Sequence, residues 1–166
     1  MQSHSPHVKQ SFPPIANART SVLILGTLPG DRSLELGQYY GHPGNRFWKV
    51  IAAITKRSAP SGYAERVALL LDCGIGVWDV AHSASRAGSS DSDVKNVLPN
   101  HLEQFIAEHG KLRTIGFNGK KPEQLHDSFF ARQPHLKYLS LPSTSPANAR
   151  IDLDGLCAAW ARLLDV

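Results

Sequence analysis

The run Tyr39-Tyr40-Gly41-His42-Pro43-Gly44-Asn45-Arg46-Phe47-Trp48 holds a denser set of chemically useful side chains than any other stretch of this 166-residue chain. Tyr40 offers a flat aromatic face. Asn45 carries an amide that can hold a ligand or a water, and it also stands where it could cap a helix starting at Phe47. An amide is no base at neutral pH, so its contribution is positioning. His42 adds an imidazole able to give or take a proton. Adjacent tyrosines on an extended segment point opposite ways, so at most one of Tyr39 and Tyr40 meets a ligand. A second concentration lies about a hundred residues on, at Leu141-Pro142-Ser143-Thr144-Ser145-Pro146-Ala147-Asn148. Its hydroxyls and backbone amides suit phosphate oxygens. Lys120, Lys121 and Arg150 add sequence-independent attraction to a polyanion.

These residues need a scaffold, and the apolar pattern supplies one. Ser21-Val22-Leu23-Ile24-Leu25-Gly26 reads as a strand buried on both faces. Residues 27–44 then form a loop far longer than a βα connection requires, and long loops on compact scaffolds carry function. Phe47, Val50, Ile51 and Ile54 follow helical spacing, as do Tyr63, Val67, Leu70 and Leu71. Gly76-Val77-Trp78-Asp79-Val80 is a second strand, and residues 84–93, small and polar, read as a mobile surface loop. A helix over residues 101–109 precedes a third strand over 113–117. Residues 119–130 are helical, Tyr138-Leu139-Ser140-Leu141 is the fourth strand, and Leu153, Leu156, Cys157, Trp160 and Leu163 mark a closing helix. Strands separated by helices imply parallel pairing, so the expected fold is a three-layer α/β/α sandwich on a mainly parallel four-stranded sheet. Ligand clefts in such sheets lie beyond the carboxyl ends of the strands. The loops after Gly26, Val80, Phe117 and Leu141 should therefore converge.

The turn Gly26-Thr27-Leu28-Pro29-Gly30, followed by the aromatic and by His42-Pro43-Gly44-Asn45-Arg46-Phe47-Trp48, resembles the first motif of the mismatch-specific uracil/thymine-DNA glycosylases. The 141–148 loop resembles the DNA-clamping motif of the same uracil-DNA glycosylase superfamily. At the position after Gly26-Thr27 the uracil-removing families keep a water-positioning Asn or Asp, and this chain has Leu28, which cannot hold water by hydrogen bonding. With Trp78-Asp79, Asn118-Gly119-Lys120-Lys121 and Ser143-Thr144-Ser145-Pro146, the pattern resembles the hypoxanthine-DNA glycosylase (deoxyinosine glycosylase) branch. The resemblance covers about residues 20–164. It implies base-excision repair by hydrolysis of the N-glycosidic bond of a flipped deaminated base. Asn45 is then the catalytic amide and Tyr40 the stacking platform. Thr27, Leu28, His42, Asp79 and Asn118 line the base pocket, and Ser143, Thr144, Ser145, Pro146, Ala147, Asn148, Arg150 and Lys120 meet the DNA, with Pro146-Ala147-Asn148 as a wedge. Asp79 stands where relatives keep a base-reading Asn. As a carboxylate it accepts from N1–H of hypoxanthine, and raised by burial it donates to the base; both readings stand, as does a bland one in which it bonds backbone N–H groups. Asn118 either caps the following helix or enters the pocket. Trp78 is core or pocket wall, and Phe47, Trp48 and Trp160 are core.

Composition bounds these readings. The size and the 42% hydrophobic content suit one domain, taken as residues 21–166 behind a loosely ordered leader over 1–20. The net charge of +4 favours a polyanion, and the excess lies early, seven Lys/Arg against two acids in residues 1–60. Single- or double-stranded DNA is the expected partner. Cys73 and Cys157 lack metal spacing and read as buried free thiols of a reducing compartment, and no run suits a signal peptide or membrane span. A cytoplasmic monomer is expected. The remaining histidines show no metal spacing and read as solvated or locally bonded. Neither a metal nor a cofactor is expected. Absence of a lysine from the first motif and the 141–148 loop argues against Schiff-base strand cleavage, hence a monofunctional enzyme. No phosphate-binding glycine motif follows a strand, which excludes a nucleotide-binding α/β protein. Two alternatives remain, a uracil or mismatch glycosylase, and a non-catalytic DNA-damage binder for which Leu28 speaks.

Overall fold

A computed structural model describes residues 8–165. The chain begins with β1 (Val8–Gln10) and enters the main sheet with β2 (Val22–Gly26), every residue of which is buried. Helices α1 (Asp31–Leu36), α2 (Phe47–Thr55) and α3 (Tyr63–Asp72) lead to β3 (Ile75–Asp79), β4 (Ala81–Ser85) and β5 (Lys95–Pro99). The rest alternates α4 (Leu102–Glu108), β6 (Thr114–Asn118), α5 (Lys120–Phe129), β7 (Lys137–Leu141) and α6 (Leu153–Trp160).

Four strands pair in the order β3-β2-β6-β7, all parallel. The alternation of β2 divides the core. Val22 and Ile24 face one side with Ile75, Val77, Leu139 and Leu141, covered by Phe47, Val50, Ile51, Leu70, Leu156 and Trp160 of α2, α3 and α6. Leu23 and Leu25 face the other side with Ile115 and Phe117, covered by Leu102, Phe105 and Leu125 of α4 and α5. This is the expected three-layer sandwich on a parallel four-stranded sheet. Gly116 lets the last layer sit close, since a Cβ there would lie 2.6 Å from Leu163 Cδ2.

Besides the short helix α1 inside the segment read as one loop over 27–44, three features depart from the sequence reading. First, part of the supposed leader is fastened: β1 pairs with β4, Ile15 bridges Val77, and the Phe12 carbonyl accepts from Trp78 Nε1 at 3.1 Å and the Tyr39 hydroxyl at 3.1 Å. Residues 1–7 lie outside the described residues. Second, β1, β4 and β5 form a small antiparallel sheet. Ala81-His82-Ser83-Ala84-Ser85 lacks the branched and aromatic residues that announce a strand, and its small buried alanines pack on Leu28 and Val94 while the Asn100 amide bonds the Ala81 carbonyl. Third, the segment read as a surface loop over 84–93 contains Arg86, which is 2% exposed. Long loops usually float; this one is anchored.

Candidate active site

The parallel register sets Gly26 beside Asp79 and Asn118 beside Leu141, so the carboxyl ends of all four strands meet at one edge. A cleft of about 980 Å³ opens there, within the usual range for small-molecule sites. It is lined by Thr27, Leu28, Tyr40, His42, Asn45, Asp79, Asn118, Lys120 and the 143–148 loop, among others. Of the residues singled out from sequence for the base or the DNA, Lys121 and Arg150 are outside it.

Asn45 is held from two sides. Its Oδ1 accepts from the Phe47 backbone N–H at 3.0 Å, which opens α2, and from the Thr144 hydroxyl at 2.8 Å. A backbone N–H can only donate, so the amide oxygen must be the atom facing it, and Nδ2 is the end left free. The helix-cap reading and the pocket reading of Asn45 are thus compatible: one end caps, the other is available. Asn118 does not cap α5. Its Nδ2 donates to Thr144 Oγ1 at 3.0 Å and its Oδ1 accepts from the Thr144 N–H at 3.0 Å.

Thr144 departs from its expected role. It is fully buried, and its hydroxyl and amide are spent on Asn45 and Asn118. A side chain in that position ties loops together; it does not reach a phosphate. Ser143 and Ser145 are half-buried at the rim, where each hydroxyl accepts a backbone N–H two residues on, and Asn148 Nδ2 donates to the Ser143 carbonyl at 2.9 Å. Pro146 and Ala147 stand exposed at the tip. Lys120 is exposed at the start of α5.

Two arginines missed by sequence reading hold this arrangement. Arg46 donates to the Ile151 carbonyl at 2.6 Å and the Asn148 carbonyl at 2.8 Å, binding the clamp loop to the first motif. Arg86 donates to the Leu28, Pro29 and Gly88 carbonyls and lies 3.5 Å from Asp91. Its guanidinium therefore joins the Thr27-Leu28-Pro29 turn to the 87–93 segment. The only trace in the sequence was the long-loop context, because the hydrogen-bond partners of both arginines are carbonyls, which any residue supplies, and Asp91 alone adds a side chain.

The two tyrosines take different roles in a turn with left-handed backbone at Tyr40, not on the extended segment expected. Tyr39 is buried, with its hydroxyl on the Phe12 and Pro13 carbonyls. Tyr40 takes a left-handed backbone (φ 52°), uncommon for a bulky residue, and stacks on Phe47 with centroids 4.0 Å apart. Phe47 covers one face of the ring, so a ligand meets only the other face or the hydroxyl. His42 Nδ1 accepts from the Gly44 N–H at 2.9 Å, leaving Nε2 toward solvent or a ligand. Leu28 lines the cleft yet is 7% exposed, packed with Ala81, Ala84 and Val94. Trp78 is not in the cleft; its indole leans on Phe105 and donates to the Phe12 carbonyl. Among the other histidines, His126 is buried rather than solvated, with Nδ1 3.0 Å from Asp127 Oδ1. Cys73 and Cys157 are free and half-buried.

At the floor of the cleft, Thr27 Oγ1, Tyr40 OH and Asp79 Oδ2 are buried and have no hydrogen-bond partner. Buried polar atoms are nearly always paired, so three orphans together mark a place where a ligand completes the bonding. Gly26 makes the room: a Cβ there would lie 2.7 Å from Asp79 Oδ1 and 3.1 Å from the Tyr40 hydroxyl. Burial pushes the Asp79 carboxyl up to about 7, against the opposing pull of Arg86. Burial likewise raises the Tyr40 phenol, with the Asp79 charge adding to it, so the phenol stays a donor. Among the described residues no group of three potential metal ligands gathers.

A family model, the Uracil DNA glycosylase superfamily, matches residues 13–164 of this chain. The chain belongs to that superfamily. Within it, a Methanosarcina barkeri protein named hypoxanthine DNA glycosylase is 37% identical over 154 residues, 92% of this chain and 96% of the relative. A protein of the same name from Methanosarcina acetivorans is 37% identical over 144 residues, covering 86% of this chain and 90% of the relative. The solution NMR structure of a Methanosarcina acetivorans protein, described as a candidate uracil DNA glycosylase, superposes with a TM-score of 0.78 at 33% identity, covering 95% of this chain and 99% of that one. The resemblance read from the two motifs thus extends along nearly the whole fold, and the superfamily's substrate polymer is DNA.

Proposed function

We propose that this protein is a monofunctional DNA glycosylase that removes hypoxanthine from deoxyinosine in DNA. The observation that carries the reading is the unpartnered Tyr40 OH and Asp79 Oδ2, whose side chains border the gap that Gly26 leaves in the cleft, with a third unpartnered hydroxyl, Thr27 Oγ1, on the same cleft wall. A flat base with edge donors and acceptors supplies what they lack. Two relatives named hypoxanthine DNA glycosylase, aligned over about nine-tenths of the chain, point to which base.

In the reaction the C1′–N9 electron pair leaves with the purine, the oxygen of a water bonds to C1′, and the water's proton passes to the purine or to solvent. The purine therefore gains negative charge as it departs. Asn45 offers only N–H toward the cleft, so its role is to donate to the leaving base, where a preorganised donor stabilises developing charge. That assigns Asn45 to the leaving group and away from the water. With Leu28 apolar, the neighbouring Thr27 hydroxyl is the group able to hold the water. Tyr40 presents its uncovered face, and His42 Nε2 stands at the mouth. Ser143, Ser145, Lys120 and the exposed Pro146-Ala147 tip receive the flanking strand, Thr144 and Asn118 acting behind them. Arg150, outside the cleft, adds only distant attraction.

The reading carries with it a cytoplasmic monomer acting on single- or double-stranded DNA, its glycosylase domain taking in the fastened segment from Val8 as well as residues 21–166. No described helix is long and apolar enough to cross a membrane. The test is single-turnover release from oligonucleotides carrying inosine, uracil or a thymine mismatch. Hypoxanthine release that exceeds uracil release is expected, and uracil release alone would overturn the base assignment. DNA binding without release of any base would make the protein a damage binder.

A further inference from the structure

We propose that Asp79 reads the base as a neutral carboxylic acid, giving its O–H to O6 of hypoxanthine and taking N1–H on its other oxygen. The inference rests on the reading of the cleft as a hypoxanthine pocket and fixes how that pocket recognises its base.

The geometry argues first. Asp79 ends β3, is 4% exposed, and its Oδ2 has no hydrogen-bond partner. An ionised carboxylate in that state would be a buried charge without donors, which is strongly unfavourable. The nearest cation does not relieve it, for the Arg86 donors are taken by the Leu28, Pro29 and Gly88 carbonyls and its charge is shared with Asp91. The charged or titratable groups facing Asp79 are Tyr39 and Tyr40 from the first loop and Arg86 and Asp91 from the segment after β4. Both phenols are held neutral by burial, Asp91 adds repulsion, and only Arg86 opposes. Below about pH 7 the proton stays on Asp79.

The chemistry of the base argues next. The six-membered ring of hypoxanthine shows a carbonyl, O6, beside an N–H, N1. A neutral carboxylic acid matches that edge with two parallel bonds, one given and one received. A carboxylate offers acceptors only, so it would take N1–H with one oxygen and set the other against O6, like charge against like. The Tyr40 hydroxyl, which borders the Gly26 gap as the Asp79 carboxyl does, remains free to donate a further bond. Recognition then requires a carbonyl next to a ring N–H, the edge that deamination of adenine creates.

An amide has the same donor and acceptor as a neutral acid, so Asp79→Asn separates the two protonation states. Single-turnover hypoxanthine release from an inosine duplex is followed between pH 5.5 and 9 for wild type, Asp79→Ala and Asp79→Asn. Wild type is expected to lose rate above about pH 7, approaching ~10-fold per pH unit. Asp79→Ala should fall ~100-fold below pH 7, the loss of two buried hydrogen bonds. Asp79→Asn should restore at least ~10-fold of that loss and show no alkaline fall. An Asn variant as slow as the Ala variant, or a wild-type rate that climbs with ionisation near pH 7, overturns the proposal. A second readout needs no turnover: carbon NMR of the Asp79 carboxyl with a duplex carrying non-hydrolysable 2′-fluoro-deoxyinosine. Its titration midpoint should rise on binding; a midpoint that falls or stays put overturns the neutral-acid reading even in an enzyme that releases no hypoxanthine. The absence of release would instead count against the proposed activity.

Discussion

The oxygen of the Asn45 amide is committed twice, to the Phe47 N–H and the Thr144 hydroxyl, and this separates its structural duty from its chemical one. Asn45→Asp keeps an oxygen for both partners and removes the free N–H donor. Release should fall ~100-fold or more, as for other single donors aimed at developing charge, while the melting temperature stays within a few degrees. Asn45→Ala should show the same kinetic loss together with ~1 kcal/mol of destabilisation from the lost cap, measured by urea unfolding. An Asp variant with full activity would remove the donor from the mechanism. Gly26 gives the complementary test. A methyl group there would meet Asp79 Oδ1 at 2.7 Å, in backbone that needs no special φ, so Gly26→Ala should leave the strand paired and fill the gap. Hypoxanthine release should collapse by ~100-fold with DNA affinity, read by anisotropy, largely kept.

Among the elements, the four sheet strands were legible because each is a short apolar run, and Val22, Ile24, Leu23 and Leu25 spell out both buried faces. The gathering of Thr27, Asp79, Asn118 and the 143–148 loop followed from parallel pairing alone. What the sequence hid was held by main-chain carbonyls. Phe12, Ile15, Leu28, Pro29, Asn148 and Ile151 all serve through backbone atoms, which leave no mark on residue type. Thr144 was hidden differently, its motif being visible but its burial not. Arg46 tests the element-level claim. Its guanidinium bridges over a hundred positions to the loop before α6, so Arg46→Met should loosen that loop while α2 persists. Hydrogen exchange should rise across residues 143–151 and DNA affinity should weaken several-fold; unchanged exchange there would deny Arg46 its tether role.

For the molecule as a whole, Asp79 links folding to acidity. Its carboxyl is raised in the folded chain, to about 7 from an ordinary value of 3.8, so the native state binds the proton more tightly than the unfolded chain. Stability contributed by this group is present at low pH, falls as pH climbs between those two values, and is flat above them. Asp79→Asn removes that drain, so the variant should melt higher than wild type at pH 8 and nearly equal to it at pH 4.5, seen by calorimetry. Exposed positive charge at the cleft comes from Arg32 and Lys120. Lys120 is its one exposed lysine, and Lys120→Gln should lower the slope of log affinity against log salt by ~0.9. The buried hydroxyl of Thr144 joins the amide assigned to catalysis and the loop assigned to grip. Those two properties consequently share one inheritance: a lineage that alters residue 144 changes how the protein holds DNA and how fast it works in the same generation, and cannot tune either alone.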